Sequence, residues 1–139
     1  MARTDNQVRT ELFKLAIELV DDRAEKEIER LQNDAALGDG TYTVPEDTRV
    51  VDAQTITRDL FEFYAAKGGD DMLESIKQSY ELANNKYQEQ VDQRVFNAVK
   101  TDPTGTEILS RKSYSLPTDT RVEDTKSGAA MFYTMITTG

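Results

Sequence analysis

The chain has 139 residues without cysteine or histidine, and its 26 acidic side chains outnumber 17 Lys and Arg for a formal charge of -9. This length suits one domain with a buried core. The missing cysteines exclude disulfides and thiolate nucleophiles, and the missing histidines exclude Ser-His-Asp triads and the usual zinc ligand. The acidic surplus disfavours direct contact with the phosphate backbone of nucleic acid.

The first predicted element is a long amphipathic helix from about Thr4 to Asp34. Its apolar residues recur at spacings of three and four, the period of one helix face. They are Val8, Leu12, Leu15, Leu19, Val20, Ala24, Ile28 and Leu31. Gly38 and Gly40 predict the end of this helix, because glycine tolerates the backbone angles of a helix terminus.

An eleven-residue motif follows, and it occurs twice in the chain. Residues 42–52 read Tyr-Thr-Val-Pro-Glu-Asp-Thr-Arg-Val-Val-Asp, and residues 114–124 read Tyr-Ser-Leu-Pro-Thr-Asp-Thr-Arg-Val-Glu-Asp. Seven of the eleven positions are identical. This match indicates an internal duplication, and we name the two segments the first motif and the second motif.

Each motif predicts an extended segment that leads into a short helix. Pro45 and Pro117 favour extended geometry in the preceding residue, and Asp52 and Asp124 are candidate N-caps. The first short helix carries aromatic and aliphatic residues up to 64. After the second motif, apolar residues at 132–136 predict a helix, with a short terminal strand as the alternative because Gly128 and several β-branched residues weaken the helical pattern.

A second long helix is predicted after Gly68 and Gly69, with an apolar face that runs to Val95. Aligning Lys14 with Lys77 extends the duplication upstream of the motifs. In this alignment, Phe13, Ile17, Val20, Ala24 and Ile28 lie opposite Ile76, Tyr80, Ala83, Tyr87 and Val91. We therefore expect both copies to pack through the same helix face.

The second copy also contains an insertion at 101–112 whose residues are typical of turns. A loop on only one copy is a natural place for a distinguishing function, because loops tolerate changes of length and often carry binding residues. The alternative is a neutral elaboration of the surface.

These patterns predict a mainly all-α single domain over residues 1–139, made of two internal repeats at about 8–69 and 70–139. Each repeat consists of a long helix, an extended motif and a short helix. The two repeats are expected to pack as a pseudo-twofold four-helix bundle. Residues 42–44 and 114–116 could pair across the axis as a minimal two-stranded β-ribbon.

The motifs supply the candidate interaction residues, because each arginine lies between two acidic residues of the sequence. In the structural interpretation, each arginine pairs with the capping aspartate and locks the extended segment onto the helix. In the functional alternative, the axis brings the two arginines together as a pocket for an anion or a partner's carboxylates. The candidate residues are Tyr42, Pro45, Asp47, Arg49 and Asp52, with Tyr114, Pro117, Asp119, Arg121 and Asp124.

No catalytic residue, cofactor or metal is expected from the remaining patterns. The acidic pairs 21–22 and 70–71 are adjacent on helices and so point apart, and the segment 33–40 lacks the ligand spacing of a calcium loop. Phosphate-loop motifs are absent from the sequence. A helix-turn-helix interpretation of 51–64 would expose too many acids to DNA.

Long helices that overhang shorter ones leave apolar surface uncovered, which predicts a homo-oligomer or a protein partner. We therefore expect a non-catalytic interaction or assembly protein. Small size and acidity suggest a phage or mobile-element component. Because no signal peptide or membrane span is visible, a cytoplasmic or virion-associated location is expected. The alternatives are a nucleic-acid-associated regulator or packaging factor that acts as an oligomer, and an enzyme that uses carboxylates and arginine.

Overall fold

A computed structural model describes residues 3–138 of the chain. Over these residues it contains four helices and one two-stranded sheet, which confirms the predicted mainly helical bundle. The elements are α1 Asp5–Leu37, α2 Arg49–Lys67, α3 Gly69–Ala98, β1 Val99–Thr101, β2 Ile108–Arg111 and α4 Arg121–Thr138. No helix in the described part of the chain is both long and apolar enough to cross a membrane.

Each long helix packs mainly against the short helix that follows it, α1 against α2 and α3 against α4. One apolar core joins the two pairs. Its members with almost no exposed surface include Val8, Leu12, Ala16 and Leu19 of α1, Ala53 and Leu60 of α2, Leu73 and Ile76 of α3, and Ala129 of α4.

The first helix begins at a capping box and extends past its partner. The hydroxyl of Thr4 accepts from the backbone N–H of Gln7, and the Gln7 side chain accepts from the backbone N–H of Thr4. This exchange satisfies two donors that a helix start would otherwise leave unpaired. The short helices have 19 and 18 residues, so the overhang of α1 and α3 is smaller than the sequence suggested.

The β-ribbon lies at the insertion, directly after the end of α3, and not between the two motifs. Val99–Thr101 pairs with Ile108–Arg111 in antiparallel fashion, so the prediction of a ribbon from 42–44 and 114–116 was wrong. The carboxylate of Asp102 closes the turn by accepting from the hydroxyls of Thr104 and Thr106. A local hairpin is favoured because closing a short loop costs less entropy than pairing segments some 70 residues apart.

The last helix is continuous to Thr138, so the alternative of a terminal strand was wrong. Thr134, Thr137 and Thr138 each donate their hydroxyl to the carbonyl four residues earlier, which accommodates them in a helix. Gly128 lies where α4 crosses α3: a Cβ atom there would overlap Ser79 Oγ and lie 3.2 Å from Ser79 Cβ. The glycine therefore permits a close helix crossing.

The two long helices do not bury equivalent faces, contrary to the expectation from their alignment. Leu19 is buried in α1, whereas Leu82 at the aligned position of α3 is 57% exposed. Equivalent positions of the two long helices therefore have different surroundings.

Candidate functional site: the two repeated motifs

The two motifs form the same local hydrogen-bond pattern around their arginines. Asp47 accepts from the backbone N–H, Nε and Nη2 of Arg49 at 3.1, 2.9 and 2.8 Å. Asp119 accepts from the same three groups of Arg121 at the same distances. A planar guanidinium and a carboxylate match in this bidentate arrangement, so the duplication in sequence is also a duplication of local geometry.

The downstream aspartates do not have the role that the sequence suggested. Helices α2 and α4 begin at the arginines, so Asp52 and Asp124 lie in the first turn and are not N-caps. They accept from the hydroxyls of Thr48 and Thr120 at 2.7 and 2.8 Å. Each arginine pairs with the aspartate before it and not with the predicted capping aspartate, because the chain becomes helical earlier than expected.

Arg121 is buried at the junction of the two halves, with 1% of its side chain exposed. Its Nη1 donates to Asp22 of α1 at 2.8 Å and to Asn84 of α3 at 2.9 Å. Its guanidinium lies 4.0 Å above the ring of Tyr87. Asp119 also accepts from Arg23 of α1 at 2.9 Å, so the second motif fastens α4 to both long helices.

Arg49 has an open environment, with 47% of its side chain exposed. Its Nη1 donates to Asp21 of α1 at 3.1 Å. Asp21 and Asn84 are aligned positions of the two long helices, so each arginine contacts the same position of its own copy. The alignment places Ala24 opposite Tyr87. The aromatic ring beneath Arg121 thus has only a methyl group as its counterpart in the first copy.

The two arginines do not combine into one anion pocket. They reach the neighbouring residues Asp21 and Asp22 of α1, but Arg121 already uses Nε, Nη1 and Nη2 in contacts within the chain. A shared pocket for an external anion therefore does not fit this arrangement.

A groove of about 540 Å³ lies between α1 and the first motif, and we name it the first-motif groove. Its apolar lining is Val20, Ala24 and Ile28 of α1 with Val44 and Pro45 of the motif. In the second copy, the aligned residues Ala83, Tyr87 and Val91 are all buried. The sequence alignment places Ala24 opposite Tyr87, but only the structure shows that Tyr87 is buried and that a groove lies beside Ala24.

The outer residues of the motifs also differ between the copies. Tyr42 and Pro45 are exposed, and the Tyr42 hydroxyl accepts from Gln32 at 3.1 Å. Tyr114 and Pro117 are half-buried. Burial raises the pKa of the Tyr114 hydroxyl, and the nearby Glu29 adds to the effect. The second motif is thus packed onto the protein, whereas the first motif faces solvent.

The carboxylates around Arg121 titrate at lower pH than ordinary ones. Burial by itself would raise the pKa of Asp119, but the hydrogen bonds and charge of Arg121 outweigh burial and hold that pKa below its usual value. The pKa of Asp22 is lowered in the same way, with burial opposed by hydrogen bonds from Lys26, Gln88 and Arg121. Both groups therefore stabilise the fold in their ionised form.

We expect the variant Asp119→Asn to be less stable than the wild type at pH 7 and the difference to shrink on acidification. A carboxylate whose folded pKa is depressed contributes stability above its unfolded pKa of about 3.9, and loses it as the pH falls through the folded value. Urea unfolding at pH 7, 5, 4 and 3 measures the difference. Asp47→Asn is the matched control: Arg49 also lowers the pKa of Asp47, to about 2, but this ion pair is exposed and screened by water, so we expect a smaller loss of stability. A gap between Asp119→Asn and the wild type that is constant down to pH 3 would contradict this role of Asp119.

Within residues 3–138, no group of three or more acidic side chains is placed to hold a metal ion. The fold and motifs define an acidic helical bundle with a repeated motif whose two occurrences have different surroundings. No protein-family model, curated protein or solved structure matches the chain.

Proposed function

We propose that the protein is a non-catalytic assembly protein that associates with itself through the C-terminal half of α4. One observation carries this proposal: large apolar side chains are exposed there, with Met131 at 74% and Met135 at 60%. The two methionines are four residues apart and so share one face of the helix. A virion or mobile-element setting stays a prediction.

Charge favours a second copy as the occupant of this surface. The chain carries a formal charge of -9, yet residues 127–138 contain no charged side chain. Two copies that meet along this segment bring apolar surface together without placing like charges directly opposite each other. Methionine side chains also adapt well to an apolar interface because they are unbranched and flexible.

We expect the double variant Met131→Lys, Met135→Lys to have a lower mass in solution than the wild type. Light scattering on a size-exclusion column at equal protein concentration measures the mass, and the variant is expected at the 15.7 kDa of one chain. Added lysines reduce the net charge of an acidic protein, so general repulsion cannot explain dissociation.

The hairpin supplies a matched control for this experiment. Ile108 and Leu109 on β2 are 52% and 65% exposed, so the double variant Ile108→Lys, Leu109→Lys places the same two charges at similarly accessible apolar positions outside α4. We expect this variant to keep the wild-type mass. Equal masses for the wild type and the double variant would contradict the proposed interface.

A further inference from the structure

We propose that the first-motif groove binds an aromatic side chain of a partner protein, presented beside basic residues. This site is separate from the α4 surface and does not depend on self-association. Its floor is made by Val20, Ala24 and Ile28, and its outer wall by Val44 and Pro45. A volume of about 540 Å³ lies in the range in which proteins receive small molecules and side chains.

The second copy provides an internal template for the occupant. There the aligned position carries Tyr87, which is buried, and the guanidinium of Arg121 lies 4.0 Å above its ring. The first copy keeps the arginine, its aspartate and the helix contact, but has Ala24 where the ring would be. An aromatic ring from outside would restore the missing part of the arrangement.

Hydrogen bonds to two aspartates restrain the guanidinium of Arg49, which is one of the groove residues. Its Nε and Nη2 donate to Asp47, and its Nη1 donates to Asp21. The side chain is 47% exposed, so it remains accessible to an incoming ring. A cation above an aromatic face is attracted by the ring's quadrupole, and fixing the guanidinium in advance lowers the entropy cost of binding.

The charge of the groove's rim determines which partner residues are favoured on either side of the aromatic ring. Six acidic side chains and two arginines line the groove, and both arginines are paired with aspartates. The acidic excess includes Glu25 and Glu27 of α1 and Glu46 of the motif. An aromatic residue between lysines or arginines therefore complements the groove, whereas an acidic segment is repelled.

The chain contains no tryptophan, so a tryptophan peptide can be followed by its own fluorescence. The probe is the peptide Lys-Trp-Lys, titrated with the protein at low salt, and Lys-Leu-Lys is the competitor that lacks the ring. We expect a saturable blue shift of tryptophan emission that excess Lys-Leu-Lys does not reverse. Absence of a saturable change with the folded wild type would overturn the proposal.

Two variants locate the binding. Ala24→Tyr supplies the ring from within, as in the second copy, and we expect it to weaken probe binding at least about tenfold because the groove is filled. Ala36→Tyr makes the same change at an exposed position of α1 outside the groove and should leave binding unchanged. Equal weakening in both variants would contradict binding in the groove.

A third variant keeps the test valid if Ala24→Tyr does not fold. Arg49→Met retains much of the side-chain bulk but removes the cation, and we expect binding to weaken by about 2- to 30-fold, the range of a cation–π contact. The groove could instead hold a second copy of this chain, and light scattering on Ala24→Tyr tests for it. If the mass of Ala24→Tyr falls below that of the wild type, and the wild type does not bind the probe, the proposal is overturned. Retained probe binding in Met131→Lys, Met135→Lys would separate this groove from the α4 interface.

Discussion

Replacing Arg121 by alanine is expected to lower the free energy of unfolding by about 3–5 kcal/mol, the usual cost of removing one partner from a buried ion pair. The side chain is 1% exposed and joins Asp119, Asp22 and Asn84. Its loss takes the main cation from Asp119 and one of two cations from Asp22, which keeps Lys26. It also removes the contact with Tyr87. Urea unfolding followed by circular dichroism at pH 7 measures the change.

The matched control is Arg49→Ala, which removes the same residue from the same local motif. We expect a clearly smaller change because Arg49 is half exposed and its ion pairs are screened by water. If both arginines locked their motifs onto the helices equally, as in the structural interpretation of the sequence, the two losses would be comparable, and the difference in burial changes that expectation. Equal destabilisation by the two substitutions would contradict the unequal roles that we assign to them.

Enlarging Gly128 is expected to destabilise the protein even though alanine favours a helix more than glycine does. In Gly128→Ala, the new Cβ would overlap Ser79 Oγ and press on Ser79 Cβ at 3.2 Å. Overpacking at such a contact typically costs about 1–3 kcal/mol. Gly128→Val should cost more, because it adds two methyl groups at the same crossing.

A second substitution tests whether Ser79 is the cause. Ser79→Ala removes the hydroxyl that Gly128→Ala would meet, along with the hydrogen bond to the Asp124 carbonyl at 3.2 Å. We expect the double variant Ser79→Ala, Gly128→Ala to be more stable than the sum of the single changes predicts. Such non-additivity is the signature of a direct contact. If the changes in the free energy of unfolding were strictly additive, the effect of Gly128→Ala would not come from its contact with Ser79.

The sequence was sufficient to predict the long helices and the mainly helical class. Leu12, Leu19, Ile76 and Tyr80 repeat with the helical period and are buried in the structure. This succeeds because burying one face of a long helix is a strong local constraint. The repeated motif was also informative, since its two copies form the same hydrogen bonds around Arg49 and Arg121.

What the sequence could not predict depends on contacts between distant segments. Leu19 and Leu82 are aligned, yet only Leu19 is buried, so equivalent positions of the two long helices have different surroundings. The predicted ribbon was wrong for a related reason: the turn at Asp102 joins strands that are close in the sequence, which costs less loop-closure entropy than pairing the two motifs. The spacing of apolar residues along the sequence does not show which segments will pack or pair with each other.

The candidate site was predicted only in part. The motif residues were correctly singled out as a repeated unit, but the sequence pointed to Asp52 and Asp124 as partners of the arginines. The difference between Ala24 and Tyr87 is not distinctive in the alignment, because substitutions between copies are common. It became informative once the structure placed Tyr87 beneath Arg121 and a groove beside Ala24.

The proposed role as an assembly protein is tested most directly by the mass of the wild-type protein in solution. Light scattering at a series of concentrations across the micromolar range measures it. We predict a mass above the 15.7 kDa of one chain that falls on dilution, as mass action requires for a reversible oligomer. A mass of one chain at every concentration would contradict the claim.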